Sequence, residues 1–261
     1  MTHQSTLELK NYLMNSSDEI IYNIAQILGD RLGFNSMRKR VSSVSDVPKK
    51  QAEKEALVDD MLKEIGYFGS NNFAYWGRWN KGVGYHEIVY DVVKLLNKQL
   101  KKKLDIPRLA TVSEREKMIC DQLLCIAFQG KSEQDIARML NEAGLEIDAS
   151  KEAAKKIVLQ TGAGGFVIAL VKILGKKIVT TILSTIVLKI IATKVGQEAA
   201  EKIVLRILKQ VPQKTISAFV IGLGTLLIAK DILDLSSAAT RVTIPVVALI
   251  STTRMLEELD K

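Results

Sequence analysis

The stretch "SSAATRVTIPVVALISTTRM", residues 236–255, is apolar through its middle. It carries the lone cation Arg241 before Pro245 and closes on Arg254. Two surroundings suit such a segment, the core of a helical protein or the apolar side of a lipid surface. Proline is tolerated in the first turn of a helix, where its missing amide hydrogen has no partner anyway. The segment therefore predicts a helix that starts near Thr243, with Thr243 or Ser237 as its cap. Arg241 then precedes that start, an unfavourable place for a bare cation beside the positive end of the helix dipole. An acid is expected to receive it, and Glu198, Asp231 and Asp234 are the candidates in this half of the chain. Interior arginine suits bidentate pairing of this kind.

Working outward, the chain of 261 residues is 47% apolar, enough to bury a sizeable core, and is interrupted by only 4 prolines. Lys, Leu, Ile, Ala and Glu dominate between those prolines, a helix-forming composition. The expected fold is all-α, a multi-helix bundle. Charge divides it unevenly: residues 1–156 hold 24 Lys plus Arg against 22 Asp plus Glu, and residues 157–261 hold 13 against 7. A polar helical N-terminal region, 1–156, is thus followed by an apolar and basic helical region, 157–261, and the two can form one continuous fold. Apolar and basic character together suit an anionic membrane surface. Nucleic acid fits less well, because the cations are dispersed among Val, Ile and Leu rather than spread over a polar face.

In the apolar region four stretches lack charge, 157–171, 178–188, 215–229 and 242–253. Each is shorter than the roughly 20 residues needed to cross a bilayer. The run "GGFVIALVKILGKKIVTTILSTIVLKIIATK", 164–194, predicts one long helix in which Lys172, Lys176, Thr180 and Ser184 form a polar seam on an otherwise apolar surface. Lysines at the margin of such a helix can extend their charges into headgroups, which makes Lys172, Lys176, Lys177 and Lys189 the membrane-facing candidates. Gly162, Gly164 and Gly165 before it, with Gly222 and Gly224 further on, would let two helices approach closely. The expectation is an apolar, Gly-punctuated C-terminal helical hairpin.

The polar region reads as helices separated by turns. "STLELKNYLMNSSDEIIYNIAQILGDRL" breaks into two at Asn15 to Ser17, and "QAEKEALVDDMLKEIGYF" forms another with Ala56, Leu57, Met61, Leu62 and Ile65 on its apolar face. Gly69, Gly77, Gly82 and Gly84 follow, with Trp76 and Trp79 among them. No GxxxxGK[ST] pattern or preceding strand accompanies these glycines, so tight turns are expected rather than a phosphate cradle. The next helix presents Ile88, Val92, Leu95 and Leu96, with Lys101 to Lys103 near its end. Beyond Pro107, two helices open on serine caps. "SEQDIARMLNEAGLEIDASKEAAKKI", 132–157, has the look of a helix-turn-helix, with Gly144 at the turn. Its second helix, read as beginning with Lys151 and Glu152, offers no row of Arg, Asn or Gln for base edges, which disfavours nucleic acid as a partner.

Residues suited to catalysis are sparse. His3 and His86 lie far from Cys120 and Cys125, so neither zinc spacing nor a Cys-His or Ser-His arrangement is indicated. On a helix the two cysteines project about 140° apart and are expected as reduced thiols. Tyr85, His86, Glu87 and Asp91 form one polar cluster, in which Glu87 and Asp91 share a helix face; a solvated or Arg-paired face accounts for it. No catalytic residue, cofactor or metal is expected. The start lacks a basic n-region followed by an apolar h-region, which predicts a cytoplasmic protein, free or else peripheral to or inserted in the inner membrane.

Three blocks carry a resemblance: "EIGYFGSNNFAYWGR" (64–78), "GVGYHEIVYDVVKLL" (82–96) and "TRVTIPVVALISTTRM" (240–255). They resemble the bacterial YaaW family of uncharacterised proteins, which is grouped by sequence with the ubiquinol–cytochrome c chaperone domain. The family's C-terminal pattern falls on Ala239, Thr240, Arg241, Val242, Thr243, Ile244, Pro245 and Arg254, with Thr240 where the family has Tyr. Its middle pattern falls on Phe68, Gly69, Gly82, Gly84, Tyr85, Glu87, Ile88, Asp91 and Val92, and a looser match covers Leu9 to Ala25. The resemblance implies a helical protein that binds other proteins near membranes, with no client specified. Phe68, Gly69, Tyr85, Glu87, Asp91, Arg241, Pro245 and Arg254 are the interaction candidates it marks. The expected function is a non-enzymatic, chaperone-like or interaction protein at or near a membrane surface. A membrane-permeabilising effector kept soluble until triggered, and a helix-turn-helix nucleic-acid binder, are the alternatives.

Overall fold

The computed structural model describes residues 2–29, 49–69, 83–160, 164–195, 200 and 240–260. These residues form ten helices and no strand: α1 Thr2–Asn15, α2 Asp18–Gly29, α3 Gln51–Gly69, α4 Tyr85–Gln99, α5 Val112–Phe128, α6 Glu133–Glu142, α7 Ile147–Gln160, α8 Phe166–Leu174, α9 Lys176–Val195 and α10 Thr240–Leu259. The all-α expectation holds. The glycine pair of the expected C-terminal hairpin, Gly222 and Gly224, lies outside the described residues.

The segment that opened the sequence becomes α10, and α10 is the hub. It packs against α2, α3, α4, α5 and α9, and Val242 through Thr253 are buried without a break. A helix apolar around its whole circumference has to be covered on every side, and here five other helices cover it. Since α2 to α5 come from the polar region and α9 and α10 from the apolar one, both regions share one core, running from Leu9 to Met255. The boundary in composition at residue 156 does not separate two cores.

Several boundaries differ from expectation, each for a local reason. The last helix starts at Thr240 rather than near Thr243, which places Pro245 inside it. The hydrogen bond lost is the one the Arg241 carbonyl would have received. The run 164–194 is not one helix: Gly175 breaks it with φ 79 and ψ 156, a conformation that residues with a Cβ rarely adopt. The seam therefore ends at α8. Lys172 is exposed there, whereas on α9 Thr180 is half-buried and Ser184 buried. Buried Thr181 and Thr185 donate their hydroxyls to the carbonyls of Lys177 (2.9 Å) and Thr181 (2.8 Å), so α9 takes polar residues into the core already paired. A Gly175→Ala substitution is expected to cost about 1–3 kcal/mol. Gly164→Ala, where an added Cβ meets nothing within 4 Å, should cost less; urea denaturation of the two variants compares them directly.

In the polar region the break between α1 and α2 falls where expected. On α3 the buried large apolar residues are Leu57, Val58, Met61 and Ile65, while Ala56 is exposed, a rotation of the apolar face by one position. The cap of α5 is Thr111 rather than a serine. Its hydroxyl accepts from the Glu114 amide at 3.2 Å while Glu114 accepts from the Thr111 amide at 2.7 Å, a reciprocal capping box. Ser132 caps α6 as expected. Gly144 turns the chain with φ 97, and α7 then begins at Ile147, one turn earlier than Lys151. Cys120 and Cys125 are both buried and neither forms a disulfide among the described residues. Burial lifts the Cys120 thiol to about 12, with the Thr252 hydroxyl pulling the other way.

Candidate functional site

On α5 the apolar positions Ile119, Cys120 and Leu123 face the core, and Glu116 lies one turn earlier on the same stripe. That register carries a carboxylate inward: the Glu116 side chain is 3% exposed. Across from it, the C-terminal part of α10 delivers Arg254, whose Nη1 donates to both carboxylate oxygens, at 2.7 Å and 3.0 Å. Tyr85, the first residue of α4, adds its hydroxyl to Glu116 Oε1 at 2.8 Å. The Arg254 guanidinium also stacks over the Tyr12 ring of α1, 4.2 Å from its centroid. Tyr12 Oη in turn donates to Glu257 at 3.3 Å. Four helices, α1, α4, α5 and α10, thus close on one charge cluster.

The electrostatics fit a latch. Burial, then the Glu116 charge, holds the Tyr85 phenol well above its ordinary value, and burial followed by Glu257 raises Tyr12 likewise. Burial pulls Arg254 downward, but Glu116, Tyr85 and Tyr12 outweigh it and hold the guanidinium above its usual range. Both phenols keep their protons and donate, the guanidinium stays charged, and the carboxylate accepts from Tyr85 and Arg254. The same end of α10 is fastened further by Lys117 to Glu258, at 2.6 Å, and by Lys176 to Asp260.

Tyr85 and Arg254, taken from two separate sequence blocks, are brought together through Glu116, which the sequence reading missed. The signal was present: an acid on the apolar stripe of a helix is there because something inside answers it. Glu87 is half-buried and Asp91 exposed, both further along α4, and Pro245 is buried within α10. Phe68 and Gly69 close α3, and Arg241 lies in the first turn of α10; the side chains of Phe68 and Arg241 lie outside the described residues. So do Asp231, Asp234 and Glu198, the acids expected to pair with Arg241. His86 Nδ1 lies 3.4 Å from the Ser5 hydroxyl.

A second buried carboxylate, Asp121, also went unread. From α5 it accepts the amides of Gly165 and Val167, each at 2.8 Å, and Phe166 adds a third backbone bond. It caps α8 from a different helix, and no local sequence rule reveals such a partner. Beside it opens a cleft of about 510 Å³ lined by Leu104, Pro107, Leu109 and Met118.

The surface is uneven. Four of the large apolar side chains exposed to solvent fall on α7 and α8: Ile147 (63%), Val158 (41%), Leu159 (86%) and Ile168 (53%). Lys151, Lys155, Lys172 and Lys177 are exposed on or beside the same helices. Of the lysines expected to face a membrane, Lys172 and Lys177 are exposed and Lys176 is engaged with Asp260. Lys189 is half-buried; burial, then the charge of Lys131, brings it down to about 8. Among the described residues no helix is long and apolar enough to cross a membrane, and no group of three or more His, Cys, Asp and Glu could hold a metal ion. No family model, curated protein or solved structure matches the chain.

Proposed function

We propose that this protein is a non-enzymatic helical interaction protein that works at a membrane surface, meeting anionic lipid through α7 and α8 while α9 and α10 stay in the core. The observation that carries the reading is the concentration of exposed apolar side chains on those two helices, interleaved with lysine. Ile147, Lys151, Lys155 and Val158 recur along one side of α7, and Ile168 and Lys172 lie one turn apart on α8. Each cation near an anionic surface contributes about 1 kcal/mol, and an apolar side chain taken out of water about 1.5–3 kcal/mol. A few of each suffice for reversible attachment. Its resemblance to a family grouped with a chaperone domain adds a protein client to the reading.

The permeabilising alternative is weaker. To insert α9 or α10, the protein would have to withdraw helices packed against most of its core, whereas the exposed side chains of α7 and α8 need no rearrangement. For the nucleic-acid alternative, the helix that would enter a groove starts with Ile147 and Asp148, and Asp148 already engages Lys151 at 3.3 Å.

Flotation tests the reading. The intact protein is expected to float with vesicles of phosphatidylcholine plus phosphatidylserine and to stay behind with phosphatidylcholine alone, less strongly as salt increases. Leu159→Asp combined with Ile168→Asp should abolish flotation without moving the melting temperature, since both side chains are exposed. A parent protein that stays at the bottom with both vesicle types would remove the membrane from the reading.

A further inference from the structure

The cleft beside Asp121 has a chemistry of its own. Three stretches of chain wall it, and each is held in place by the fold. The segment after α4 is fastened at several points. Asn97 Nδ2 donates to the Leu104 carbonyl at 3.0 Å and Asn97 Oδ1 accepts the Leu104 amide at 2.9 Å. The Ala110 amide returns to the Pro107 carbonyl at 3.2 Å, and Arg115 Nη2 donates to the Arg108 carbonyl at 3.2 Å. From α5, Glu114, Met118 and Asp121 contribute one helix face. The third wall is the start of α8, where Gly164 and Gly165 carry no side chain and a Cβ added at either would meet nothing within 4 Å. Asp121 moors that wall to α5, with both its carboxylate oxygens taken by amides.

A concave space of about 510 Å³ is of the size that takes a small organic molecule, and walls fixed beforehand lower the cost of binding one. Leu104, Pro107, Leu109 and Met118 make its surface apolar, and Leu109 is 96% exposed. The charged part of the lining is wholly acidic. Asp105, Glu114 and Asp121 face the space with no lysine or arginine among the described residues, in a chain of net charge +8. Asp105 makes no ion pair among the described residues. Glu114 uses only Oε2 for the Thr111 amide and hydroxyl, which leaves Oε1 to accept. Lys117, whose charge also acts on Glu114, is itself paired with Glu258 at 2.6 Å. An apolar cavity lined by acids selects a cation with an apolar body. We propose that this cleft binds an amphiphilic amine, its hydrocarbon against the apolar wall and its ammonium answered by the carboxylates of Asp105 and Glu114. None of these side chains belongs to the exposed set on α7 and α8, so the site stands apart from the membrane reading.

The test is titration calorimetry on the intact protein with three probes that share one hydrocarbon chain: n-octylammonium, 1-octanol and n-octanoate. The amine should bind about tenfold more tightly than the alcohol, and the carboxylate most weakly of the three. Asp105→Asn combined with Glu114→Gln should bring the amine down to the affinity of the alcohol and leave the alcohol unchanged. Both side chains are exposed, and Gln keeps the capping role at Glu114, so this variant should melt with the parent. Gly164→Leu, which places a side chain in the open space, should remove binding of amine and alcohol alike. Leu159→Ser should change neither, because the α7 surface takes no part. The proposal is overturned if the parent does not bind octylammonium, if the three probes bind equally, or if the Asn and Gln variant keeps the parent's preference for the amine. A folded Gly164→Leu protein that binds octylammonium as the parent does, or a loss of that binding in Leu159→Ser, would place the amine elsewhere and overturn it too.

Discussion

Replacement of Arg254 by alanine is expected to cost the fold about 3–5 kcal/mol, the penalty for removing one member of a buried ion pair and leaving the other uncompensated. What remains is the Glu116 carboxylate, 3% exposed, with only the Tyr85 hydroxyl to answer its charge. The Tyr12 ring also loses the cation stacked on it. Because the loss comes from an orphaned charge rather than from missing attraction alone, removing both charges should be far milder. Glu116→Leu combined with Arg254→Leu is expected to recover most of the loss in urea denaturation. Lys103→Ala is the contrasting case. Lys103 is exposed and donates to the carbonyls of Lys98 and Leu100 at the C-terminal end of α4, a contribution of at most about 1 kcal/mol. Should Arg254→Ala and Lys103→Ala unfold at the same urea concentration, the four-helix latch would have no energetic standing.

Asp121→Ala should be the next most damaging change, at about 2–3 kcal/mol, because it strips the N-terminus of α8 of an acceptor bonded to several amides. The buried Val167 amide would be left without that partner. The carboxylate also predicts a pH dependence. Burial lifts the Asp121 carboxyl above its ordinary 3.8, while the Val167, Gly165 and Phe166 amides pull it back. For an acid whose folded value is raised, the associated stability is fully present below the unfolded value and is lost as pH rises through the folded one. The stability advantage of the parent over Asp121→Asn should therefore narrow between acidic pH and neutrality. An advantage that widens over that range would mean that the amides, not burial, control the carboxyl.

Both residues show where reading the sequence succeeds and where it stops. Helical periodicity places most elements, because spacing on a helix is a local property, whereas Tyr85 and Arg254 are singled out by the resemblance to a known family. Periodicity leaves the surroundings of residues 240–255 open between core and lipid, since an apolar circumference states only that the helix is covered and not by what. Gly175 lies in plain view within the run 164–194, but one glycine is compatible with a helix, and only its backbone angles decide the break. Glu116 could have been flagged as a charge on an apolar stripe. Asp121 could not, because its partners are amides 44 and 46 positions further along the chain and any residue type offers an amide.

The hub helix has a temporal consequence. α10 is the last of the described helices to leave the ribosome, although the surfaces it fills belong to α2, α3, α4 and α5, which are made well before it. The contact between Tyr12 and Glu257 closes a separation of 245 residues, and that between Glu116 and Arg254 one of 138. Contacts this distant require loop closure before they return any stabilisation, which slows folding for a chain of a given stability. Until residues 240–259 arrive, the nascent helices carry an open apolar trough the width of a helix. A chain stalled or cut before Thr240 is therefore expected to bind holdases or aggregate, rather than persist as a smaller folded bundle.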